Sequence, residues 1–474
     1  MNKNIIRISY LFLIFIILAI TSIILPGRIY KIIQTTIRDK LGLTKTKVKE
    51  IVAPHSIDEL QTIIRSTNEP IAIMGTGYSQ GGQIAISQGI IIDTKHLNKI
   101  IHLDHEEKII TVQTGATWYD VQKYIDPYNL SIASMQSYNN FSIGGSLSVN
   151  VHGRDIHHCQ LVNTVKSLQI VTADGNLITA DRNDHSDLFK AAIGGYGLLG
   201  VITQVTLQLT DNIPLERKTK TCLLENFDFI FFNTITTDPS VVFYNTDLFP
   251  KAYKKCLIIT WHTTNKAVTD FTRLQEQKSP FYIVNQALEF FIKRILLAKY
   301  TRPLFEELKT KKPLVVNRNN EMSYSLYQLT VGYHFPSIMT LQEYFIPVKY
   351  AQTFAKTLRS ILKKNWVNVL NISIRYVKAD TTSIMSYAKE ESFSFVLYLN
   401  LFNVKTNITR SCIWTQKIID AALENNGSYY LPYLMCATKK QFHKAYPQFK
   451  KLLEIKKIYD PTNKFQNKLL KKYV

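Results

Sequence analysis

The chain has 474 residues, 46% of them apolar and 20% charged, which is too long for one ordinary core and too apolar for a disordered chain. Its formal net charge of +21 either favours anionic partners (nucleic acid, anionic lipid, phosphorylated substrates) or reflects a compositional bias towards Lys, Ile and Asn. No zinc-finger spacing and no aromatic RNP-like signature accompanies the charge, so nucleic acid is not an expected partner.

The first predicted element is residues 5–25, in which an uncharged run from Ile8 to Leu25 follows Ile5 and Ile6. The run just reaches the ~20 apolar residues that span a bilayer. A signal peptide has a shorter apolar core and a small-residue cleavage site, which Ala19-Ile20-Thr21 matches poorly. An uncleaved single-pass transmembrane anchor is the expectation. Lys3 and Arg7 precede it, while Arg28, Lys31, Arg38 and Lys40 follow, so the positive-inside rule places the catalytic body on the cytoplasmic side. The five cysteines, Cys159, Cys222, Cys256, Cys412 and Cys436, are odd in number and far apart, which predicts free thiols and a reducing compartment.

A basic linker, residues 26–47, leads into a region dense in short strands. Ile71–Met74 and Gly89–Asp93 are apolar runs, and Lys108–Thr114 alternates as a half-buried strand does. Thr117–Ile125 reads as a helix that ends before Pro127. Leu168–Val171 and Leu177-Ile178 flank Asp174-Gly175, the signature of a hairpin. A short helix over Asp187–Ile193 and a long strand over Gly200–Leu209 follow. Strands mixed with brief helices indicate α+β rather than a regular βαβ repeat. After Asp211 the composition shifts, and helices over Tyr282–Lys299 and Val348–Lys363 alternate with strands over Tyr324–Thr330, Asn371–Val377 and Phe393–Phe402. The tail from Tyr429 is predicted helical and is strongly basic.

Three glycine clusters punctuate the first domain. Gly75-Thr76-Gly77-Tyr78-Ser79-Gln80-Gly81-Gly82 follows a strand directly. Glycine lets a backbone turn tightly and bring its N–H groups close to a diphosphate. Gln80 breaks the G-x-G-x-x-G fingerprint, and no Gly-Lys-Ser/Thr follows, so this is neither a Rossmann nor a Walker loop. The second cluster is Ser142-Ile143-Gly144-Gly145-Ser146, running on to Val149-Asn150-Val151-His152-Gly153. The third is Gly194-Gly195-Tyr196-Gly197-Leu198-Leu199-Gly200-Val201-Ile202.

This order of clusters, with the Asp174-Gly175 hairpin between the last two, resembles the FAD domain of the vanillyl-alcohol oxidase and para-cresol methylhydroxylase superfamily. The nearest likenesses are decaprenylphosphoryl-ribose oxidase and the aldonolactone oxidases. Asn150-Val151-His152-Gly153-Arg154, Gln441–Pro447 and Tyr459-Asp460-Pro461 resemble stretches of the former. The resemblance implies a fold: a two-subdomain FAD-binding domain over residues 48–212, a mixed α/β cap or substrate domain over 213–428, and a segment over 429–474 that returns to the first domain.

It also implies roles. Gly75, Thr76, Gly77, Tyr78, Ser79, Gly81 and Gly82 would cradle the FAD diphosphate. Ser137, Ser142, Ile143, Gly144, Gly145, Val149, Asn150 and His152 would line the rest of the cofactor. Gly197, Gly200 and Ile202 would close over it, and Tyr430 would return near the flavin ring. Many members carry, where Tyr78 stands, a His bonded covalently to the flavin; Tyr cannot form that link, so dissociable FAD is expected. Arg375 falls where the ribose oxidase has a substrate-site Lys, and Tyr433 where it has another Lys, which puts the sugar-phosphate activity itself in doubt.

Arg375, Tyr433 and His152 are therefore the candidate catalytic residues. Chemistry of this class moves hydride from a C–H beside an alcohol while a base takes the hydroxyl proton. His157-His158-Cys159 has no second ligand pair at zinc spacing, so no metal is expected. Phe281–Arg302 and the Lys-rich tail read either as membrane-surface elements or as a cap-domain helix and a solvated tail. The leading expectation is an FAD-dependent oxidoreductase acting on a CH–OH group of a sugar, polyol or lipid-linked sugar-like substrate. The alternatives are a flavin reductase of C=C bonds, as in sterol reductases, and a non-catalytic membrane-associated binding protein. The electron acceptor is open.

Overall fold

Continuous apolar runs such as Ile71–Met74 are what a parallel sheet covered on both faces requires, and that is where this one lies. The computed structural model describes residues 36–250, 252–275, 312–326, 332–334, 337–402 and 405–474. In it, Glu50–Val52, Ile90–Asp93 and Ile71–Met74 form a three-stranded parallel sheet with Ile90–Asp93 in the centre. The Ile57–Ser66 helix crosses over it, capped by the Ser56 hydroxyl accepting from Glu59 N at 3.1 Å and burying Leu60 and Ile64.

A six-stranded antiparallel sheet follows, in the order Leu177–Asp181, Val165–Val171, Val201–Asp211, Ile109–Gln113, Ile100–Asp104, with Leu130–Ile132 added to Val201–Asp211. The hairpin between its first two strands turns at Asp174-Gly175, where Gly175 has φ +77°, open to glycine at little cost. Thr117 and Asp120 close a reciprocal capping box at the start of the Trp118–Ile125 helix.

The second domain is a nine-stranded antiparallel sheet. Its order is Val315–Asn317, Pro214–Leu223, Lys255–Thr263, Val241–Leu248, Val369–Val377, Ser392–Phe402, Ser337–Pro347, Gly332–His334, with Ser428–Tyr429 paired to Ser337–Pro347. Period-two alternation gives the sheet two faces. Tyr344 packs against Phe354 of the Ala351–Lys364 helix at 6.0 Å, and Gln342 Nε2 donates to Thr415 Oγ1 of the Lys405–Glu424 helix at 2.8 Å. Residues of opposite parity, Leu341, Glu343, Arg375 and Val396, line a void shared with the first domain.

Several expectations change. Tyr429 lies in a strand, and the tail becomes helical only at Lys439–Ala445, Phe449–Tyr459 and Lys468–Tyr473. Of Tyr324–Thr330, Tyr324 makes only an isolated bridge to Tyr138, and 327–330 lie outside the described residues. Residues 5–25 and the helix predicted over Tyr282–Lys299 lie outside them too. Among the described residues no helix is long and apolar enough to cross a membrane. The expectation of free thiols is corrected by a disulfide between Cys412 and Cys436, which removes the cysteine argument for a reducing compartment. Cys159, Cys222 and Cys256 are free.

Candidate active site

The three glycine clusters converge on one void of about 1550 Å³, solvent-open mouth included, between the two domains. Gly75 sits so close to the second cluster that a Cβ there would lie 2.0 Å from Ser142 Oγ, so only glycine allows the approach. Two side chains fasten these loops: Ser142 N donates to Thr76 Oγ1 at 3.1 Å, and Thr76 N to Ser142 Oγ at 3.4 Å. Gly77, with φ +72°, turns the first loop under the void. Gln80 locks the same loop to the cap, its N–H donating to Pro432 O at 2.9 Å and its Oε1 accepting from Thr340 Oγ1 at 2.8 Å.

Of the residues predicted to meet the cofactor, Gly75, Thr76, Gly77, Tyr78, Ser79, Ser137, Ser142, Gly144, Gly145, Val149, His152, Gly197, Gly200, Ile202 and Tyr430 line the void. Gly81, Gly82, Ile143 and Asn150 stand behind its wall. A Cβ on Gly81 would meet Tyr433 O, and one on Gly82 would meet Lys468 and Thr44. Ile143 is in the core. Asn150 Nδ2 donates to Asp380 Oδ2 at 2.9 Å, fastening the second cluster to the cap.

The lining fits FAD. The Ser79 and Ser137 hydroxyls are buried and have no protein hydrogen-bond partner, although buried polar groups are almost always satisfied. A large cleft partly lined by glycines, with two such hydroxyls, suits a dinucleotide that brings its own polar atoms.

One part of the void gathers charge. Arg375, His152 and Tyr433 meet there, joined by Glu343, which sequence reasoning missed. His152 Nε2 and Glu343 Oε1 lie 2.5 Å apart, Ser394 Oγ donates to the same oxygen at 2.5 Å, and Tyr433 OH donates to Glu343 Oε2 at 3.2 Å. Tyr430 OH reaches back to Val149 O at 2.8 Å. Burial pushes the Glu343 carboxyl up, but the charge and hydrogen bond of His152, with Ser394 and Arg375 behind them, outweigh it and hold the group below its ordinary value. Burial lowers the Arg375 guanidinium, with Glu343 acting in the opposite sense. Its Nε is buried without a partner, and among the described residues no carboxylate comes within ion-pair distance. Burial also drives the phenols of Tyr430 and Tyr433 well above the ordinary tyrosine value.

The only sequence signal for Glu343 was a lone acid in the apolar-rich stretch Leu341-Gln342-Glu343-Tyr344-Phe345-Ile346. Its register shows that it faces the void: Glu343 opposes Val396, and Arg375 opposes Ser394, on adjacent strands. His157 and His158 turn away from the site, to Val241 O and Asp155.

Comparison with known proteins matches residues 48–181 to a family described as FAD binding domain, and residues 205–473 to one described as D-arabinono-1,4-lactone oxidase. The chain is 23% identical over 430 residues to L-gulonolactone oxidase of Mus musculus, covering 88% of this chain and 93% of that protein. It is 25% identical over 208 residues to D-arabinono-1,4-lactone oxidase of Debaryomyces hansenii, covering 40% and 37%. It is 26% identical over 202 residues to cytokinin dehydrogenase 2 of Arabidopsis thaliana, covering 41% and 40%.

Proposed function

Because this chain belongs to the D-arabinono-1,4-lactone oxidase family, and so is an FAD-dependent oxidoreductase, we propose that it oxidises a hydroxyl-bearing carbon of an aldono-1,4-lactone or a close sugar-like relative. The observation that carries this reading is the meeting of Arg375, Glu343, His152 and Tyr433 in a void whose wall also carries the backbone of Gly75, Gly77, Gly144, Gly145, Gly197 and Gly200. When bound, FAD supplies the two-electron hydride acceptor. The chain supplies the rest. The side-chain-free backbone of Gly75, Gly77, Gly144 and Gly145 would let the cofactor pack close, and the unpartnered Ser79 and Ser137 hydroxyls would donate to its oxygens. Arg375 holds positive charge where negative charge builds up during hydride transfer. Tyr430 and Tyr433 fix the substrate face.

Tyr78, on the void wall with its ring 4.8 Å from Lys40 Nζ, supports a dissociable cofactor, since it cannot form a histidyl link. The apolar run over residues 5–25 supports a single-pass tether, with the domain limits as set out from the sequence.

The test is anaerobic mixing of the purified yellow protein with D-arabinono-1,4-lactone, L-gulono-1,4-lactone and matched polyols. Bleaching of the flavin bands by at least one lactone is expected, and acid precipitation should leave the colour in solution. If no sugar-like alcohol bleaches the flavin, the reading fails.

A further inference from the structure

Tyr433 and His152 entered the sequence reading as catalytic candidates, but neither is placed to be the base. Tyr433 already donates its proton to Glu343 Oε2, and burial raises its phenol well above the ordinary value. His152 has Nε2 committed to Glu343 Oε1, and its Nδ1 lies 3.4 Å from Gly153 O. Both groups point to the same carboxylate.

We infer that Glu343 is the base of the reaction: its Oε2 takes the substrate's hydroxyl proton as hydride leaves the same carbon. This rests on the reading of the void as an alcohol-oxidising flavin site. The geometry is specific. Oε1 is saturated by two donors at 2.5 Å, from His152 and Ser394, which fix the plane of the carboxylate. Oε2 has one longer donor, at 3.2 Å, so it keeps acceptor capacity on the side that lines the void. A carboxylate with one oxygen clamped and the other under-occupied, 3% exposed, is pre-oriented for one incoming proton. Ser394 and Arg375 sit opposite each other on neighbouring strands, so the clamp and the nearest cation are held by one sheet register.

The step balances. The substrate C–H bond breaks and its electron pair goes with the hydrogen to the flavin. The O–H bond breaks and its proton goes to Oε2. The C–O bond becomes C=O. Two electrons leave the substrate and reduce the cofactor.

The alternative is a purely structural Glu343–His152 pair, and Glu343→Gln separates the two because it keeps the shape and most hydrogen bonds. The measurements are FAD affinity by fluorescence quenching, the melting midpoint, and the anaerobic rate of flavin reduction by a lactone that bleaches the native protein. The expected result is FAD affinity within about threefold of native and reduction slowed by roughly 10²–10⁴, the usual worth of a positioned base. Glu343→Asp should recover part of the rate. Reduction by E343Q within threefold of native would overturn the assignment while leaving the flavin reading intact. Failure of the native protein to bleach would instead overturn the flavin reading.

Should E343Q lose FAD, the native protein still decides. Its reduction rate must fall on the acid side as the carboxylate protonates, with a limb that Glu343→Asp displaces. The charged and titratable groups facing Glu343 are His152, Arg375, Tyr433, Tyr430, Tyr387 and Tyr196, and burial drives the four phenols far above the acid range. A profile with no acid limb below the ordinary carboxylate value of about 4.3, or a limb unmoved in E343D, sinks the idea.

Discussion

Arg375 shows how one side chain separates function from stability. In a strand whose neighbours Ile372 and Ile374 are fully buried, parity turns Arg375 towards the void. There burial disfavours its charge, its Nε finds no partner, and Arg154 adds repulsion. Such a group is a cost to folding that a packed apolar residue would not carry. Arg375→Met should therefore leave the melting midpoint unchanged or raised. It should also slow anaerobic flavin reduction by roughly 10²–10³, as the loss of one oriented donor at a charge-developing site does. A stopped-flow rate near native, or a clear fall in melting midpoint, would make Arg375 a structural residue after all. Its place in a strand was legible from sequence because the apolar neighbours alternate about it. Glu343 was not, because a single acid in a strand does not announce its face; only the pairing of Glu343 with Val396 does.

At the scale of elements, what could be read locally was read well. The Leu168–Val171 strand, the Asp174-Gly175 turn and the Trp118–Ile125 helix each carry their own signals of period, turn chemistry and cap. What depends on distant partners was not legible. Tyr429 became a strand because Tyr344 offers it an edge, and Cys412 met Cys436 across a sequence separation of 24, which no local pattern encodes. That bond ties the Lys405–Glu424 helix to the segment that carries Tyr430, Pro432 and Tyr433 into the void. Closing such a loop is worth roughly 3.5 kcal/mol through the unfolded chain. Cys436→Ala, or reduction by dithiothreitol, should lower the melting midpoint and raise KM for the lactone more than it lowers kcat, since the tether positions the substrate face. Equal melting curves with and without reductant would show that the bond does not form in solution.

On the scale of the whole molecule, the last stretch of chain holds both domains and the site in one run. It leaves the cap sheet at Ser428–Tyr429, passes the void at Tyr430–Tyr433 and ends inside the first domain. There Ile71 N donates to Lys464 O at 2.7 Å and Gln466 N to Ile71 O at 2.8 Å, extending the parallel sheet by one partner. Lys456 Nζ, 4% exposed as a residue, is satisfied by Asp460, by Leu198 O at 3.0 Å and by Phe465 O at 2.8 Å. Burial lowers its ammonium and Asp460 acts against that. Beyond Asp460 the chain buries Phe465, Leu469, Leu470 and Tyr473, together worth roughly 6–12 kcal/mol at 1.5–3 kcal/mol per side chain. That is as large as the net stability of a typical domain. Deleting residues 461–474 should therefore remove far more than a basic tail: the shortened protein is expected to come out colourless, to take up no FAD and to be cut rapidly by protease within the first domain. Neutralising the exposed Lys451 and Lys471 in the full-length chain removes charge alone and should leave the flavin spectrum native. A shortened protein that keeps stoichiometric FAD would mean that the glycine-rich bends hold the cofactor without the strand-like pairing of Phe465 to Ile71, and that the returning segment serves only the surface.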